Sequence, residues 1–304
     1  MRVDVHQHLW SEPLVAALAR RRRAPRVRRD GCRWVLELAA EPPATIDVAG
    51  DAPERRAGLV CIDGLDRAVL SLSGALGVEA LPPDEARALI AAYHEGVADA
   101  GAPFAAWGAL ALADATAADV DAALDGDSVG ICVPAGALST PTALERTGPL
   151  LEALERRDAP LFVHPGPDPW AQPADAVDAP AWWPAMTDYV AGMNAAWHAF
   201  VARGRDAHPR LRVLFAMFAG GAPLHRERLA ARGGPIAAAR DRRLFYDTSS
   251  YGPTAIDAMV GVVGVDQLVH GSDRPVVAPT LPPAGTWWDA LVRRNPARLL
   301  GALA

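Results

Sequence analysis

The sequence contains no lysine, since all 30 of its basic residues are arginine. A catalytic lysine that forms a Schiff base with its substrate is therefore excluded. A pair of metal ions bridged by a carbamylated lysine is excluded for the same reason. Any metal site in this chain has to be built from other side chains.

Cysteine is scarce, and long uninterrupted apolar runs are missing. The three cysteines, Cys32, Cys61 and Cys132, form no C-x-x-C pair, and their odd number argues against a disulfide framework. The N-terminus shows neither the charged start nor the apolar region of a signal peptide. We therefore expect a cytoplasmic protein that does not span a membrane. The net charge of -6 and the 51% hydrophobic content give no reason to expect a nucleic-acid partner.

Short apolar runs alternate with longer helical patterns, which is typical of repeated βα units around a parallel sheet. The predicted strands are 2–8, 67–73, 104–110, 128–133, 160–164, 211–217, 244–247 and 267–271. Helical patterns between them cover 84–100, 141–157, 183–207 and 253–263. Eight such units predict a (β/α)8 barrel, and 304 residues fit a single domain of this type, 1–304.

Two of the connections between predicted strands are longer than a simple βα unit requires. The first, 11–66, is arginine-rich from Arg20 to Arg29 and continues with the strand-like C-R-W-V-L-E-L, so we predict an elaborated loop with a small hairpin over the barrel mouth. We interpret its arginines as a solvated helix end, and a site for an anionic substrate is the alternative. The second, 165–184, carries Trp170, Trp182 and Trp183. These tryptophans either line a substrate pocket or pack against the outer helices.

The first predicted strand ends in the sequence D-V-H-Q-H. Side chains alternate along a strand, so Asp4, His6 and His8 share one face. Two imidazoles on one face at the carboxyl end of a barrel strand can form half of a metal site. An isolated H-x-H pair is weak evidence, and its place at the end of a buried strand is what strengthens it.

Two further strands end in residues that bind metals. His164 closes the apolar run L-F-V-H before Pro-Gly, on the fifth strand, across the barrel from the first. Asp273 follows the eighth strand, which closure places beside the first. Its carboxylate could ligate a metal and carry a proton to or from a substrate. Strand or turn capping is the structural alternative for both residues.

Together, the motifs H-x-H, F-V-H-P-G, F-Y-D-T-S, G-S-D-R-P and N-P-A-R-L-L-G resemble the amidohydrolase-related family, which includes decarboxylases and lactonases. The resemblance covers nearly the whole chain and is weakest over 11–66. It implies a distorted (β/α)8 barrel with one divalent metal, zinc or else manganese. It also implies that the metal ligands are His6, His8, His164 and Asp273. Relatives often pair through barrel faces, which leaves a homodimer open.

One position departs from the family pattern. After the sixth strand the family reads H-x-G-G, whereas this chain has Met217 at the ungapped position and Phe218 if the glycines are aligned. Neither side chain accepts a proton. His198 and His225 are the nearest substitutes in sequence, and we expect both on helix surfaces.

Three functions remain after this departure. The leading hypothesis is metal-assisted hydrolysis of a small lactone, amide or ester, with Asp273 moving the protons. The alternative is non-oxidative decarboxylation of an aromatic or unsaturated acid, in which Asp273 protonates carbon and Arg274 pairs with a substrate carboxylate. The third is a barrel that binds a ligand without turnover or metal. The residues expected to contact a small-molecule substrate, which could be anionic, are Trp10, Trp182, Trp183, Arg274 and Met217.

Overall fold

The computed structural model describes residues 1–39, 41–171, 179–235, 241–278 and 287–301. Eight short parallel strands form its centre, in two sheets with the orders β1-β5-β6 and β7-β8-β9-β10-β11. They are β1 (Val3–Gln7), β5 (Arg67–Leu70), β6 (Phe104–Ala106), β7 (Ile131–Pro134), β8 (Leu161–His164), β9 (Val213–Phe215), β10 (Leu244–Asp247) and β11 (Leu268–Val269).

Parallel bridges join the two sheets at both seams. Gly108 pairs with Ile131 at one seam, and Gln7 pairs with Arg274 at the other. The second seam is reinforced by a backbone bond of 2.7 Å from His8 to the Arg274 carbonyl. The eight strands therefore close into a ring, and the predicted barrel fold is confirmed.

Helices connect the strands on the outside of the ring, as βα units require. The longer ones are Glu12–Ala19, Pro53–Ile62, Pro83–Ala100, Ala117–Asp125, Pro141–Arg156, Asp188–Ala199 and Pro253–Val263. Shorter ones are Trp183–Met186, Arg205–Ala207, Arg226–Ala231 and Asn295–Leu300. The helical pattern predicted over 183–207 is interrupted at Thr187, whose ψ of -74° lies outside ordinary helical geometry, and it widens into a π turn at Phe200–Gly204. No described helix is long and apolar enough to cross a membrane.

The first connection carries a second, antiparallel sheet of three strands, β2 (Arg26–Asp30), β3 (Arg33–Glu37) and β4 (Ala44–Ile46). We call the segment 26–46 the cap. The sequence predicted an elaborated loop with a small two-stranded hairpin here, and the structure adds a third strand to that hairpin. The interpretation of the arginines as a helix end is wrong for Arg26–Arg29. These residues form β2, because Val27 turns inward onto the core while its arginine neighbours stay at the surface.

The interior of the barrel is aromatic beneath the mouth. Phe162 and Trp107 are fully buried with ring centroids 5.2 Å apart, and Phe162 also contacts the His6 ring at 5.0 Å. The Trp107 indole donates a hydrogen bond of 2.8 Å to the Val5 carbonyl, which satisfies its only polar group. This close-packed layer supports β1 and the side chains at its carboxyl end.

Candidate metal centre and active site

The four predicted ligands come together at the carboxyl ends of their strands. The ligand atoms of His6, His8, His164 and Asp273 all lie within 4.8 Å of one another. The two Nε2 atoms of His6 and His8 are 3.2 Å apart, and Asp273 Oδ1 lies 3.1 Å from the second of them and 3.5 Å from the first. The four ligands, predicted from three separate places in the sequence, thus converge on one point.

Each histidine is held by a partner on its other ring nitrogen. His6 Nδ1 donates to Asp247 Oδ2 at 2.7 Å, and His8 Nδ1 donates to the Ser71 carbonyl at 2.8 Å. His164 Nδ1 lies 2.8 Å from the Pro165 carbonyl. Because carbonyl and carboxylate oxygens only accept, each of these rings, when neutral, carries its proton on Nδ1 and leaves its Nε2 lone pair free. This arrangement is typical of metal-binding histidines.

The donor set fits a divalent metal on electrostatic grounds. Two nitrogen lone pairs and a carboxylate oxygen face one another at 3.1–3.5 Å, a contact that is repulsive unless a cation or a proton lies between them. Three imidazoles and one carboxylate suit zinc and other first-row divalent ions. The residues present therefore match the group that the resemblance implied.

The close approach of the ligand side chains also shifts their pKa values in the protein without metal. Burial disfavours a charged His6, but the Asp247 carboxylate outweighs burial and raises the pKa of His6 to about 8. Burial, together with the neighbouring His6 and His8, brings the pKa of His164 well below its usual range. Burial alone would raise the pKa of Asp273, yet the two histidines beside it lower that pKa. Without metal, a proton therefore binds at His6 rather than at His164, and metal and proton compete for the cluster.

Asp247 is a site residue whose role sequence reasoning missed. Asp247 is fully buried at the end of β10. Its Oδ1 accepts hydrogen bonds from the Met217 N–H at 2.8 Å, the Ser249 N–H at 3.0 Å and the Ser249 hydroxyl at 2.5 Å. Burial raises its pKa, but the charge and hydrogen bond of His6 and the hydrogen bonds of Ser249 together lower it below its usual value, so it stays ionised. Its position at the end of a barrel strand, inside F-Y-D-T-S, was the signal that could have identified it.

Met217 begins a strained turn beside the cluster. Residues 217–221 all have positive φ, with 42° at Met217, 54° at Phe218 and 55° at Ala219. A left-handed backbone costs a non-glycine residue roughly 1–2 kcal/mol, and such strain is concentrated at functional sites. Met217 lines the cavity above the cluster, so an apolar side chain occupies the position where the resemblance led us to expect a histidine.

The cluster opens into a cavity of about 860 Å³ between the barrel mouth and the cap. Among the residues predicted to contact substrate, Trp10, Met217 and Arg274 line it. The expectation that Trp182 and Trp183 line the pocket needs correction. They pack against each other at the surface, 59% and 42% exposed, and neither is among the residues that line the cavity. Met186 and Tyr189 line it instead.

Arginines in the cavity wall are already paired. Arg274 donates from Nη2 to Asp63 at 2.9 Å, although its Nε is buried without a partner among the described residues. Arg56, which the sequence did not single out, is buried and forms an ion pair with Asp51 while bonding to the Gln7 side chain at 2.6 Å. The assignment of Arg274 to a substrate carboxylate therefore stays a prediction.

The two substitute histidines do not reach the site. His225 is exposed, and His198 lies 2.9 Å from the Asn194 carbonyl on its own helix. Neither is among the residues that line the cavity. No side chain from these positions therefore takes the place of the missing histidine.

The fold of this chain, a closed parallel barrel, is shared with solved structures of known enzymes. The IDCase of Metarhizium anisopliae matches with a TM-score of 0.75 and 17% identity over 99% of this chain and 97% of that one. The 5-carboxyvanillate decarboxylase of Novosphingobium aromaticivorans, solved with manganese and 3-methoxy-4-hydroxy-5-nitrobenzoic acid, matches with a TM-score of 0.73 and 18% identity over 99% and 97%.

A third structure of the same fold is the 2,6-dihydroxybenzoate decarboxylase from Rhizobium, with a TM-score of 0.67 and 18% identity over 98% of both chains. No family model and no curated protein sequence matches the chain. At these identities the likenesses show the fold, which agrees with the barrel that the resemblance implied.

Proposed function

We propose that this protein is a metal-dependent enzyme that removes carbon dioxide, without oxidation, from a small aromatic or unsaturated carboxylic acid. The observation that carries the proposal is the single acid in the cluster, Asp273, beside a wall in which Met217 offers no proton acceptor. Decarboxylation needs one proton delivered to carbon and no water nucleophile. Decarboxylases among the solved structures of this fold support the same choice.

The metal, zinc or manganese, would be held by His6, His8, His164 and Asp273. When bound, it would supply a positive charge that holds the substrate carboxylate and a neighbouring oxygen. Manganese is present in one solved structure of this fold, and three imidazole ligands favour zinc.

The protein's own residues orient the site and move the proton. Asp247 holds His6 in the tautomer that presents Nε2, and Ser71 does the same for His8. Trp10 and Met217 contribute apolar wall, which keeps water from the substrate carboxylate and favours its conversion to neutral carbon dioxide. As the carbon–carbon bond breaks, its electron pair stays on the substrate carbon, which takes up a proton from Asp273. Because Asp273 is ionised on its own, it first takes this proton from solvent.

Hydrolysis of a lactone or ester is the second candidate and was the leading hypothesis from sequence. Hydrolysis requires more proton transfers than decarboxylation does, because Asp273 alone would have to take a proton from water and pass it to the leaving group. The position where the resemblance implies a histidine offers no second base, since Met217 occupies it and neither His198 nor His225 lines the cavity. For this reason we place decarboxylation first.

The test uses protein stripped of metal and then reloaded with zinc or manganese. A panel of hydroxybenzoates and unsaturated acids is assayed for released carbon dioxide, in deuterated water so that the product gains one deuterium at the former carboxyl carbon. A parallel panel of lactones and esters is assayed for acid release. We expect metal-dependent carbon dioxide release. Acid release alone would favour hydrolysis, and no metal binding with no turnover would favour a binding protein.

A further inference from the structure

The charges on the cavity wall indicate which acids the site accepts. Two arginines line the cavity, and both are neutralised, Arg56 by Asp51 and Arg274 by Asp63. Apart from the histidines of the cluster, no other cationic side chain is found among the described lining residues. A second carboxylate on a substrate would therefore meet no free positive charge there.

The cap contributes the opposite charge. Glu41, in the connection between β3 and β4, and Tyr189, on the helix Asp188–Ala199, both line the cavity, and the Tyr189 hydroxyl donates to Glu41 Oε1. The other carboxylate oxygen, Oε2, has no hydrogen-bond donor within the described parts of the chain. The side chain of Asp47, also on this wall, accepts the Gly50 N–H at 2.9 Å and has no other donor in the described part of the chain.

Glu41 is also partly desolvated, and it forms no ion pair with a cation among the residues that the structure describes. Burial raises its pKa, the Tyr189 hydrogen bond opposes that rise, and nearby Asp188 adds to it. A carboxylate in this state gains most from a neutral or positive hydrogen-bond donor. It repels a further anion, and such repulsion is a device by which sites reject unwanted ligands.

We propose that the pair Glu41 and Tyr189 makes the site selective for monocarboxylic acids whose far end donates a hydrogen bond, such as an amino- or hydroxy-substituted ring, and selective against dicarboxylic acids. The inference rests on the decarboxylase function proposed above. The first carboxylate is held at the cluster, and the substituent at the far end faces Glu41 across the cavity.

The experiment measures binding, which does not depend on turnover. Manganese-loaded protein is titrated calorimetrically with salicylate, 4-aminosalicylate and 2-hydroxyterephthalate at about pH 8, and the 5-substituted isomers repeat the series in case the substituent has to point elsewhere. We expect the amino compound to bind several-fold more tightly than salicylate. The dicarboxylate should bind about tenfold or more weakly than salicylate, as like charges at close range require.

Three variants separate charge from shape. Glu41→Gln should bring the dicarboxylate to within about threefold of salicylate. Glu54→Gln removes an equal charge from an exposed position outside the cavity and should leave the order unchanged. Tyr189→Phe removes the phenol hydroxyl but keeps the Glu41 carboxylate, so the discrimination against the dicarboxylate should persist.

The outcomes distinguish this inference from the function on which it rests. A dicarboxylate that binds the wild-type protein as tightly as salicylate, or a penalty unchanged in Glu41→Gln, would overturn the selectivity while leaving decarboxylation intact. Failure of all the acids to bind metal-loaded protein would overturn both.

Discussion

The two walls of the cavity are built in different ways. On the barrel side, the cluster and its supports are buried, and every ring nitrogen of His6 and His8 has a fixed neighbour. On the cap side, Glu41 makes a single hydrogen bond from a loop, and the ion pairs of β2 and β3 face solvent. The comparison indicates that the barrel holds the chemistry rigidly, while the cap adjusts which molecules enter.

The barrel side should be the most sensitive to a change in one atom. Asp273→Asn preserves shape and an oxygen ligand but cannot carry the proton. We expect turnover to fall by about 10³-fold, within the 10²–10⁴-fold range of acid–base catalysis. Carbon dioxide release is measured at saturating metal, with bound metal quantified for each sample.

The control for this substitution is Asp66→Asn, which makes the same change at an exposed residue that bonds the Arg2 backbone N–H at 2.6 Å. It should retain full activity. An Asp273→Asn protein that binds metal and keeps more than about a tenth of the activity would remove Asp273 from the proton-transfer step.

A second carboxyl on the barrel side is buried without a partner, and we expect its ionisation to lower the free energy of unfolding. Glu79 is fully buried, neither of its oxygens has a partner in the described residues, and burial raises its pKa to about 7. Its neighbours Tyr93 and Cys132 have raised pKa values themselves and stay neutral, so neither balances a charge on Glu79.

The sign of the pH effect follows from that shift. The folded protein holds the Glu79 proton more tightly than the unfolded chain does. The associated stability is full below the unfolded pKa near 4.5 and is lost as pH rises through about 7. Glu79→Gln escapes this loss, so its stability relative to wild type should be about 2 kcal/mol greater at pH 8 than at pH 5.

Urea unfolding of metal-free protein at both pH values measures this difference. Glu95→Gln, at an exposed position on the helix Pro83–Ala100, is the matched control and should show little change at either pH. An equal effect of Glu79→Gln at both pH values would mean that folding does not shift the pKa of Glu79.

Asp247 tests whether the cluster depends on its supports. In Asp247→Asn, the amide nitrogen can face His6 Nδ1, which moves the ring proton to Nε2 and blocks the ligand atom. We expect metal affinity to fall by about 10–100-fold, as measured by competition with a chelator. Ser249→Ala removes one hydrogen bond to Asp247 without altering the charge and should cost less. Equal affinities for Asp247→Asn and wild type would show that His6 is fixed by packing alone.

The sequence could predict the residues at strand ends but not their partners in space. His164 and Asp273 were identifiable because each follows a short apolar run, and parallel strands bring such ends to one mouth. The bond between Asp247 and His6 joins positions 241 residues apart, and no local pattern encodes it. The sequence also could not predict the direction in which side chains of a loop point. For this reason we expected Trp182 and Trp183 in the cavity wall, where Tyr189 lies instead.

A substitution in the cap should have the smallest effect on stability and metal affinity. A measurable effect there would most directly contradict the difference between the two walls. Glu37 receives hydrogen bonds from Arg28 Nε at 2.5 Å and Arg26 Nε at 2.6 Å, and these bonds lower its pKa. All three side chains are partly exposed, so solvent screens the pairs and their net contribution is small. Glu37→Gln should leave the thermal unfolding temperature and the metal affinity unchanged within error.

Thermal unfolding and chelator competition check this on the same samples as Asp247→Asn. A substitution in the cap that weakens metal binding would show that cap and barrel unfold and bind as one unit. The cap would then be part of the support of the cluster, and the division between a rigid catalytic wall and an adjustable selective wall would fail. Unchanged metal affinity, beside the loss in Asp247→Asn, would place the mechanical support of the metal entirely within the barrel.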